Sequence, residues 1–391
     1  MISIEVKDPT WTNHIRTLYR DRGDGHSGFT NLTFSQVDVG GYETCKFQIP
    51  LTSPYESNQL LPYCSIDVWT NRQKVWQGRI LRPLQYNSGG YLEVECEGIG
   101  LAFGRSNIAT GFWNNNAPHT IYQDIVQHYA DINLLNSDIS EIQTAGNGYL
   151  ISNRTYQEVA FSQVFNEVAN FGFDDYTSGC WGVDSGAKAN WISDPGNIFY
   201  WRKRDLTNVA YKLPYAWLDS CSIILDMSNF ANNVRARYSA TAYSDIGVSS
   251  SNAAALASQA LYTPGHKQWA ALDISNANNT ATAADAAQVG NVFISRYAAP
   301  WPKGEIVLGE NFLRYSGELA LTDVRACMAV QIPGLTMARP DLLGTVTDQT
   351  VFWVKRSSYD DESFTMTLTL NDYPDNSAVM VSRLSGITTG I

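Results

Sequence analysis

The side chains best suited to bind a metal ion or to act as general bases are few in this sequence. The five histidines are scattered along the chain: His14, His26, His119, His128 and His266. His119 and His128 are nine positions apart, which does not place them on one helical face, and no histidine and glutamate spacing of the zinc protease kind occurs. We therefore predict no metal site and no cofactor, with the histidines at the surface or at helix ends.

Paired carboxylates are the next candidates for chemistry, because a glycosidase needs only two of them beside a sugar-binding cleft. The candidates are Asp174 with Asp175, Glu93 with Glu95, and the run from Asp360 to Glu362. The two glutamates share the outer face of a predicted strand, and the last run lies in a predicted turn, where Asp is favoured by turn geometry. The sequence has no Gly-x-Ser-x-Gly elbow, phosphate-binding glycine loop or recognisable Cys/His motif. We expect no catalytic residues and no enzyme.

The composition indicates a folded chain with little charge. Its 391 residues suffice for two to four domains, and 44% are apolar, 12% aromatic and only 17% charged. The net charge of −11 argues against a general phosphate-binding surface, since nucleic-acid binding normally needs a basic patch. The short basic run Trp201-Arg-Lys-Arg204 is interpreted as a solvated strand end. Abundant Trp and Tyr side chains favour sheet cores or large permanent interfaces.

The cysteines and the N-terminal segment both indicate a protein that folds in a cytoplasm. The N-terminal residues alternate like a strand without the pattern of a secretion signal, and no window approaches the ~20 apolar residues of a membrane span. No cysteine has a close partner in sequence, and several occupy apolar strand positions, so we expect all of them to be reduced and structural. They are Cys45, Cys64, Cys96, Cys180, Cys221 and Cys327.

Two distant stretches of the chain follow the same strand pattern. One contains Gln-Ile-Pro50 and continues to Ile80 and Leu92, and the other contains Gln-Ile-Pro333 and continues to Val354 and Met366. The spacing is twelve residues from Ile80 to Leu92 and again from Val354 to Met366. Period-two alternation in both stretches is typical of half-buried antiparallel strands. The repeat predicts a duplicated small β-barrel, which suits a scaffold better than an enzyme.

The predicted strands and helices divide the chain into three domains. Residues 1–105 are a first β-barrel domain, 106–215 a smaller α+β domain, and 216–391 a second β-barrel domain with a helical insertion at about 249–300. The α+β domain has one helix over 118–129 and a second whose capping box begins at Thr155. The segment 262–275 is an exposed connection, 22–27 a loop, and 357–362 a hairpin turn. The fold class is mainly β with an α+β insertion.

The order of these modules resembles that of phage tail hub, or baseplate hub, proteins. The resemblance rests on a glycine-rich strand entry from Val39 to Phe47, a Val-Trp-x-Gly-x-Ile strand from Val75 to Ile80, and a Pro-Gly turn before a Phe-Trp strand in the second half. The residues that carry these motifs are structural candidates: Gly40, Gly41, Trp76, Gly78, Gly98, Pro333, Gly334 and Trp353.

The resemblance implies a structural protein of the virion, at the tail tip, assembled in the host cytoplasm. It implies a homotrimer in which two similar barrels per subunit make six near-equivalent units, adapting a six-fold tail tube to a three-fold spike or fibre. Expected partners are further copies of the chain and the tube, distal tail, and spike or fibre proteins. DNA would pass through the channel at ejection without specific binding. No appended lysozyme or peptidase domain is present, so wall degradation is not expected.

Two other classes of protein remain as alternatives. A carbohydrate-binding tail adhesin, or receptor-binding protein, would use exposed aromatic side chains to hold host glycans, and Trp113 and Trp191 are its candidates. A glycosidase would depend on one of the carboxylate pairs. Loss of glycan binding on replacement of either Trp, in a protein that does not assemble, would favour the adhesin.

Overall fold

A computed structural model describes most of the chain. The described residues are 2–20, 28–50, 60–70, 73–81, 85–86, 90–106, 108–129, 135–184, 197–275, 281–299, 301–317, 319–335, 338–340, 346–348 and 351–371. The predicted loop over 22–27, Trp191 and the tail after Pro374 lie outside them. The predicted mainly β fold class is confirmed: the first and last described parts of the chain are mainly strands, and most of the helices lie in the middle and in an insertion.

The N-terminal region consists almost entirely of strands. Its elements are β1 (Ile2–Lys7), β2 (His14–Arg20), β3 (Gly28–Val37), β4 (Gly40–Pro50), β5 (Ser65–Thr70), β6 (Gln73–Ile80), β7 (Gln85–Tyr86), β8 (Tyr91–Gly98) and α1 (Ile99–Ser106). The middle region mixes both kinds of element: β9 (Ile108–Trp113), α2 (Pro118–Tyr129), β10 (Arg154–Ala160), α3 (Phe161–Ala169), β11 (Gly179–Asp184), β12 (Ile198–Lys203) and β13 (Val209–Lys212).

The C-terminal region returns to strands around an insertion. Its elements are β14 (Ser220–Asp226), β15 (Asn233–Arg237), β16 (Tyr243–Gly247), α4 (Ala253–Tyr262), β17 (Trp269–Asp273), α5 (Ala283–Tyr297), β18 (Trp301–Leu308), α6 (Glu310–Tyr315), β19 (Met328–Gln331), β20 (Ala338–Pro340), β21 (Val346–Asp348), β22 (Val351–Asp360) and β23 (Thr365–Leu370). The insertion packs α5 against the small sheet β16-β15-β17.

The same five-strand arrangement occurs in the N-terminal and C-terminal regions. The first five-strand unit has the spatial order β3-β4-β8-β6-β5, with every neighbouring pair antiparallel. The second five-strand unit has the order β14-β18-β23-β22-β19, again antiparallel throughout. Strands with the same place in the two units also follow each other in the same chain order. The unit is therefore duplicated at the level of topology.

Register supports the equivalence of the two hairpins. Ile80 on β6 lies opposite Cys96 on β8, sixteen residues later, and Val354 on β22 lies opposite Leu370 on β23, also sixteen residues later. All four side chains are buried. The alternation that suggested the repeat thus corresponds to the same cross-strand pairs in both units.

The Gln-Ile-Pro segments, in contrast, do not occupy equivalent places, and this part of the predicted repeat is wrong. In the first five-strand unit the motif ends β4, whereas in the second it begins at the last residue of β19, the counterpart of β5. The counterpart of β4 is β18, which contains no such motif. Three identical residues are too few to establish that two strands are equivalent, and the strand pairing shows that these two are not.

The two five-strand units differ in how their ends are completed. β1 pairs with β5 and with β2, and β2 runs parallel to β3 at Tyr19 and Arg20, so the first unit closes into a seven-stranded barrel. In the second unit β13 pairs with β19 in the place that β1 takes beside β5. Among the strands that the structure describes, β14 pairs only with β18, and its outer edge carries no partner.

Three local predictions are corrected by the structure. The helix expected to start from a capping box at Thr155 begins at Phe161, because Thr155 lies on β10, which pairs with β9. The segment 262–275 contains β17 and is not only a connection. The expected turn over 357–362 is strand up to Asp360, since Ser357 and Tyr359 are buried between β3 and β23. The helix over 118–129 is confirmed.

Candidate functional site

The glycines at the entry of β4 let the middle region join the first barrel. Gly40 and Gly41 have φ angles of 110° and 81°, a backbone region that glycine adopts without steric cost. They pair in parallel with Gly182 and Val183 of β11. A Cβ atom on Gly41 would lie 2.1 Å from the carbonyl oxygen of Val183. Strand β11 of the middle region can therefore pair with β4 only because Gly41 has no side chain at this contact.

Three other candidate residues lie together inside the first barrel. Gly78 and Gly98 face each other across β6 and β8. A Cβ on Gly98 would come within 1.8 Å of the carbonyl oxygen of Tyr42, and one on Gly78 within 2.4 Å of the Trp76 ring. Trp76 is fully buried, with its ring centroid 6.3 Å from that of Tyr42. These positions allow close packing of strands around a buried indole.

The candidates of the C-terminal half occupy two separate places. Pro333 and Gly334 follow β19, where the carbonyl of Pro333 accepts a hydrogen bond from the backbone N–H of Tyr215 at 2.9 Å, and Gly334 has a φ of 87°. Trp353 lies instead in β22 against the first barrel, and its Nε1 donates to Oδ2 of Asp38 at 3.0 Å. The structure thus brings Trp353, but not Pro333 or Gly334, close to the β4 entry.

Asp38 is the centre of a buried junction between all three regions. Its Oδ2 also accepts a hydrogen bond from Nε of Arg204 at 2.8 Å, and its backbone N–H donates to the carbonyl of Lys355 at 2.8 Å. The side chains of Asp38 and Arg204 are only 1% and 10% exposed. We call Asp38, Arg204, Trp353 and the neighbouring Cys180 and Cys327 the three-way junction. It joins the β3–β4 turn, the end of β12 and the second five-strand unit.

The electrostatics of this junction correct the interpretation of the basic run. Burial disfavours the charged guanidinium of Arg204, but the adjacent Asp38 carboxylate outweighs this and raises its pKa above the ordinary value. Arg202 pairs with Glu141 at 2.9 Å, and Lys203 pairs with Asp175. Arg204 is therefore not part of a solvated strand end. Each cation of the run has a carboxylate partner within the chain, which leaves little positive charge for a nucleic acid.

The carboxylate candidates hold loops and strands together. Asp174 accepts hydrogen bonds from the backbone N–H groups of Gly148 and Tyr149, each at 2.9 Å to Oδ1. Glu95 pairs with Lys46 across β4 and β8. Asp360 accepts from the N–H of Glu362 in its own turn. In the parts of the chain that the structure describes, no three His, Cys, Asp or Glu side chains converge as metal ligands.

The aromatic candidate for glycan binding is buried. Trp113 is 8% exposed, its ring lies tilted against that of Tyr156 with the centroids 5.8 Å apart, and its Nε1 donates a hydrogen bond to Asp124 at 2.8 Å. A glycan could not reach its ring face without unfolding this packing. The adjacent Phe112 is 60% exposed, but one exposed ring is common on any surface. Trp113 therefore gives the adhesin alternative no support.

The longest contact between the two five-strand units is a shared strand pairing. Residues Arg356 to Asp360 of β22 pair antiparallel with Val37 to Thr33 of β3. We call this pairing the internal seam. β22 is bent by an irregularity after Val354, so its first half lies beside β19 and its second half beside β3. The seam was not visible in the sequence, because its strands are more than three hundred residues apart.

The comparisons with known proteins give a single consistent result. No family model and no curated protein matches the sequence. A tail protein from Neisseria meningitidis superposes with a TM-score of 0.57 at 12% identity, covering 94% of this chain and 95% of the other. The 43 kDa tail protein of prophage MuSo2 from Shewanella oneidensis gives 0.53 at 12% identity, covering 96% and 97%. This chain has the fold of phage tail proteins.

A third structure extends this likeness over whole chains. A prophage tail protein from Listeria monocytogenes covers 99% of this chain and 100% of its own, with a TM-score of 0.50 at 11% identity. The predicted resemblance in fold is thus confirmed. No helix among the described residues is both long and apolar enough to cross a bilayer.

Proposed function

We propose that this chain is a structural component of a phage tail, specifically the hub of a baseplate or tail tip. In this proposal three copies form a ring whose six five-strand units are near-equivalent. Such a ring would match a six-fold tail tube on one face and a three-fold spike or fibre on the other, and would surround the DNA channel. The likeness in fold to tail proteins supports the structural role, and the repeat supports the ring.

The observation that carries the proposal is that the internal seam joins the two five-strand units through different strands of each unit. It joins the second half of β22 to β3. The counterpart of β3 in the second unit is β14, whose outer edge has no partner among the described strands. The counterpart of the second half of β22 is the end of the first hairpin, where β7 pairs with β8 at Gln85 and Tyr86. The outer edges of β14 and β7 are thus equivalent to the two strands of the internal seam, but they do not pair with each other within one chain.

A neighbouring copy can supply what is missing. If the β7 end of one copy lies along β14 of the next, this contact between copies repeats the internal seam, and in a ring of three copies each β14 edge is paired with a β7 end. This contact is heterologous, so it must close into a ring or grow into a filament. A rotation of about 60° at each seam closes the ring after six units, which requires three chains with two units each.

The surface of β14 is consistent with an intersubunit contact. Ile224 on β14 is 58% exposed, and Met227 just beyond it is 47% exposed. Permanent interfaces bury about 2,000 Å² or more and are more apolar than ordinary surface. Exposed apolar residues on an unpaired strand edge are unfavourable for an isolated monomer, and a partner strand would remove both the edge and the exposure.

The charge of the chain suits the passage of DNA without binding. The net charge is −11, and the basic run from Arg202 to Arg204 is neutralised by internal carboxylates. A channel wall that is poor in unpaired cations releases few counterions on contact with DNA, and its affinity for DNA is correspondingly low.

The proposal is tested by the mass and symmetry of the purified protein. We expect light scattering to give three times the mass of one chain, and negative-stain averages to give rings with three-fold or pseudo-six-fold symmetry. Ile224→Lys should abolish the trimer, while Leu150→Lys, at a residue that is 56% exposed in the middle region, should leave it intact. A wild-type protein that stays monomeric at high concentration, or an Ile224→Lys variant that still forms the ring, would refute the proposed contact.

A further inference from the structure

Two cysteines that are distant in sequence meet at the three-way junction. The Sγ atoms of Cys180 and Cys327 are 2.9 Å apart, although 147 positions separate the residues. Cys180 lies on β11 in the middle region, and Cys327 directly precedes β19 in the second five-strand unit. Both are free thiols here. The pair therefore spans two regions that otherwise meet only through non-covalent contacts.

The surroundings hold the two sulfur atoms in place. Cys180 is fully buried, and its thiol points at the carbonyl of Arg202 at 3.5 Å. Cys327 has a φ of 65°, which is unusual for a residue other than glycine or asparagine, and its N–H donates to the carbonyl of Val354 at 2.9 Å. Tyr200, Ala329 and Trp353 pack around the thiols. The backbone of Cys327 thus has an uncommon conformation at the residue whose sulfur contacts that of Cys180.

We propose that Cys180 and Cys327 form a reversible disulfide that locks the middle region to the second five-strand unit once the protein meets an oxidising environment. A disulfide requires an S–S distance of about 2.05 Å, so the sulfur atoms need to approach by less than 1 Å. Phage particles leave the reducing cytoplasm in which they are assembled, and disulfides persist outside it. The inference does not depend on the trimer, because both cysteines belong to one chain.

Oxidised glutathione is a sufficient oxidant for this step. The partly exposed Cys327 attacks one of its sulfur atoms as a thiolate, forming a mixed disulfide and releasing one glutathione. The Cys180 thiolate then attacks the Cys327 sulfur and displaces the second glutathione. The two protein thiols lose two electrons and two protons, which convert one glutathione disulfide into two glutathione thiols. Burial raises the pKa of the Cys180 thiol, which lowers the fraction of thiolate available for the second attack.

The other cysteines provide an internal control. Cys45 and Cys96 are also neighbours, since they face each other across β4 and β8, but both are enclosed in the first barrel. A small-molecule disulfide can reach neither of them without opening the barrel. Cys221 is also partly exposed and can form a mixed disulfide with glutathione, so the reaction at the junction is identified by the cross-link between Cys180 and Cys327 and not by loss of a free thiol alone.

The test compares the full-length chain before and after incubation with oxidised glutathione. Non-reducing digestion and mass spectrometry should give a Cys180–Cys327 cross-linked peptide lacking two hydrogens, with Cys45 and Cys96 still open to alkylation after unfolding. Because the bond closes a long loop, the Tm should rise by roughly 5 °C, and dithiothreitol should reverse the rise. Cys180→Ala and Cys327→Ser should each abolish the cross-link and the rise, whereas Cys45→Ser should keep both.

Three results would contradict the proposed disulfide. Six thiols that remain open to alkylation after oxidation, or cross-links between other cysteines, would overturn the inference. So would a cross-link between chains in place of the one within a chain, as judged by non-reducing electrophoresis. The peptide assay on the wild-type chain decides the matter even if a variant folds poorly.

Discussion

Removal of the Asp38 carboxylate should be among the most destabilising single changes in this chain. The Asp38→Ala variant loses the hydrogen bonds from Nε of Arg204 at 2.8 Å and from Nε1 of Trp353 at 3.0 Å. It leaves the guanidinium, which is 10% exposed, without its countercharge. Breaking a buried ion pair from one side costs about 3–5 kcal/mol, because the remaining charge stays desolvated. The free energy of unfolding should fall by that amount.

A neighbouring ion pair provides the matched control. Lys203 directly precedes Arg204 and pairs with Asp175, whose side chain is 54% exposed. Exposed pairs of this kind contribute at most about 1 kcal/mol, so Asp175→Ala should shift the unfolding midpoint only slightly. A double variant, Asp38→Ala with Arg204→Met, removes both charges and should recover most of the lost stability.

The assay is equilibrium denaturation, followed by tryptophan fluorescence and by circular dichroism. The hydrogen bond from the backbone N–H of Asp38 to the carbonyl of Lys355 does not depend on the Asp38 side chain. The Asp38→Ala variant should therefore keep the β-rich circular dichroism spectrum of the wild-type protein. Equal midpoints for Asp38→Ala and Asp175→Ala would show that the junction contributes no more than a surface pair. A double variant that is less stable than Asp38→Ala would refute the idea that the unpaired guanidinium of Arg204 causes the loss of stability.

Three further outcomes follow from single sites. Gly98→Ala should cost about 3 kcal/mol in unfolding free energy, because its Cβ would meet a carbonyl at 1.8 Å, while Gly90→Ala, with open space around it, should cost about 1 kcal/mol. Trp76→Ala should cost about 3–5 kcal/mol in the same assay, since the ring is fully buried. The hydrogen bond from Asn13 lowers the pKa of Asp8 to about 2, and carbon NMR should show the carboxyl titrating there. The ionised carboxylate therefore stabilises the fold above about pH 4, and this stabilisation is lost as pH falls through 2. Asn13→Ala should raise the pKa of Asp8 in the same NMR titration.

Local patterns in the sequence predicted those elements that local forces determine. The helix over 118–129 starts at Pro118 and keeps Ile121 and Ile125 on one buried face, so proline preference and periodicity agree. The hairpin at Ile80 and its counterpart at Val354 were recognised because alternation survives in both. In such segments the local preference and the final environment coincide.

The errors fall where distant partners decide the structure. Thr155 begins a capping-box pattern, but pairing of β10 with β9 outweighs it, and Glu158 takes a φ of 52° at the irregularity in that ladder. Arg204 looked solvated because its partner is 166 positions away. The Cys180 and Cys327 contact spans a comparable distance. No local pattern encodes these contacts, because each depends on a partner that is distant in the sequence.

The difference between the two five-strand units explains why duplication alone does not complete this fold. In the first unit β1 and β2 fill the space between β5 and β3, and β22 covers the remaining edge of β3. The second unit has only β13 in addition, and β14 keeps an open edge among the described strands. Natural sheets rarely leave an edge with apolar residues such as Ile224 exposed, because it would pair with any extended chain. The same edge in the first unit is covered by β22 of the same chain, and in the proposed ring the strand that covers β14 comes from a second copy.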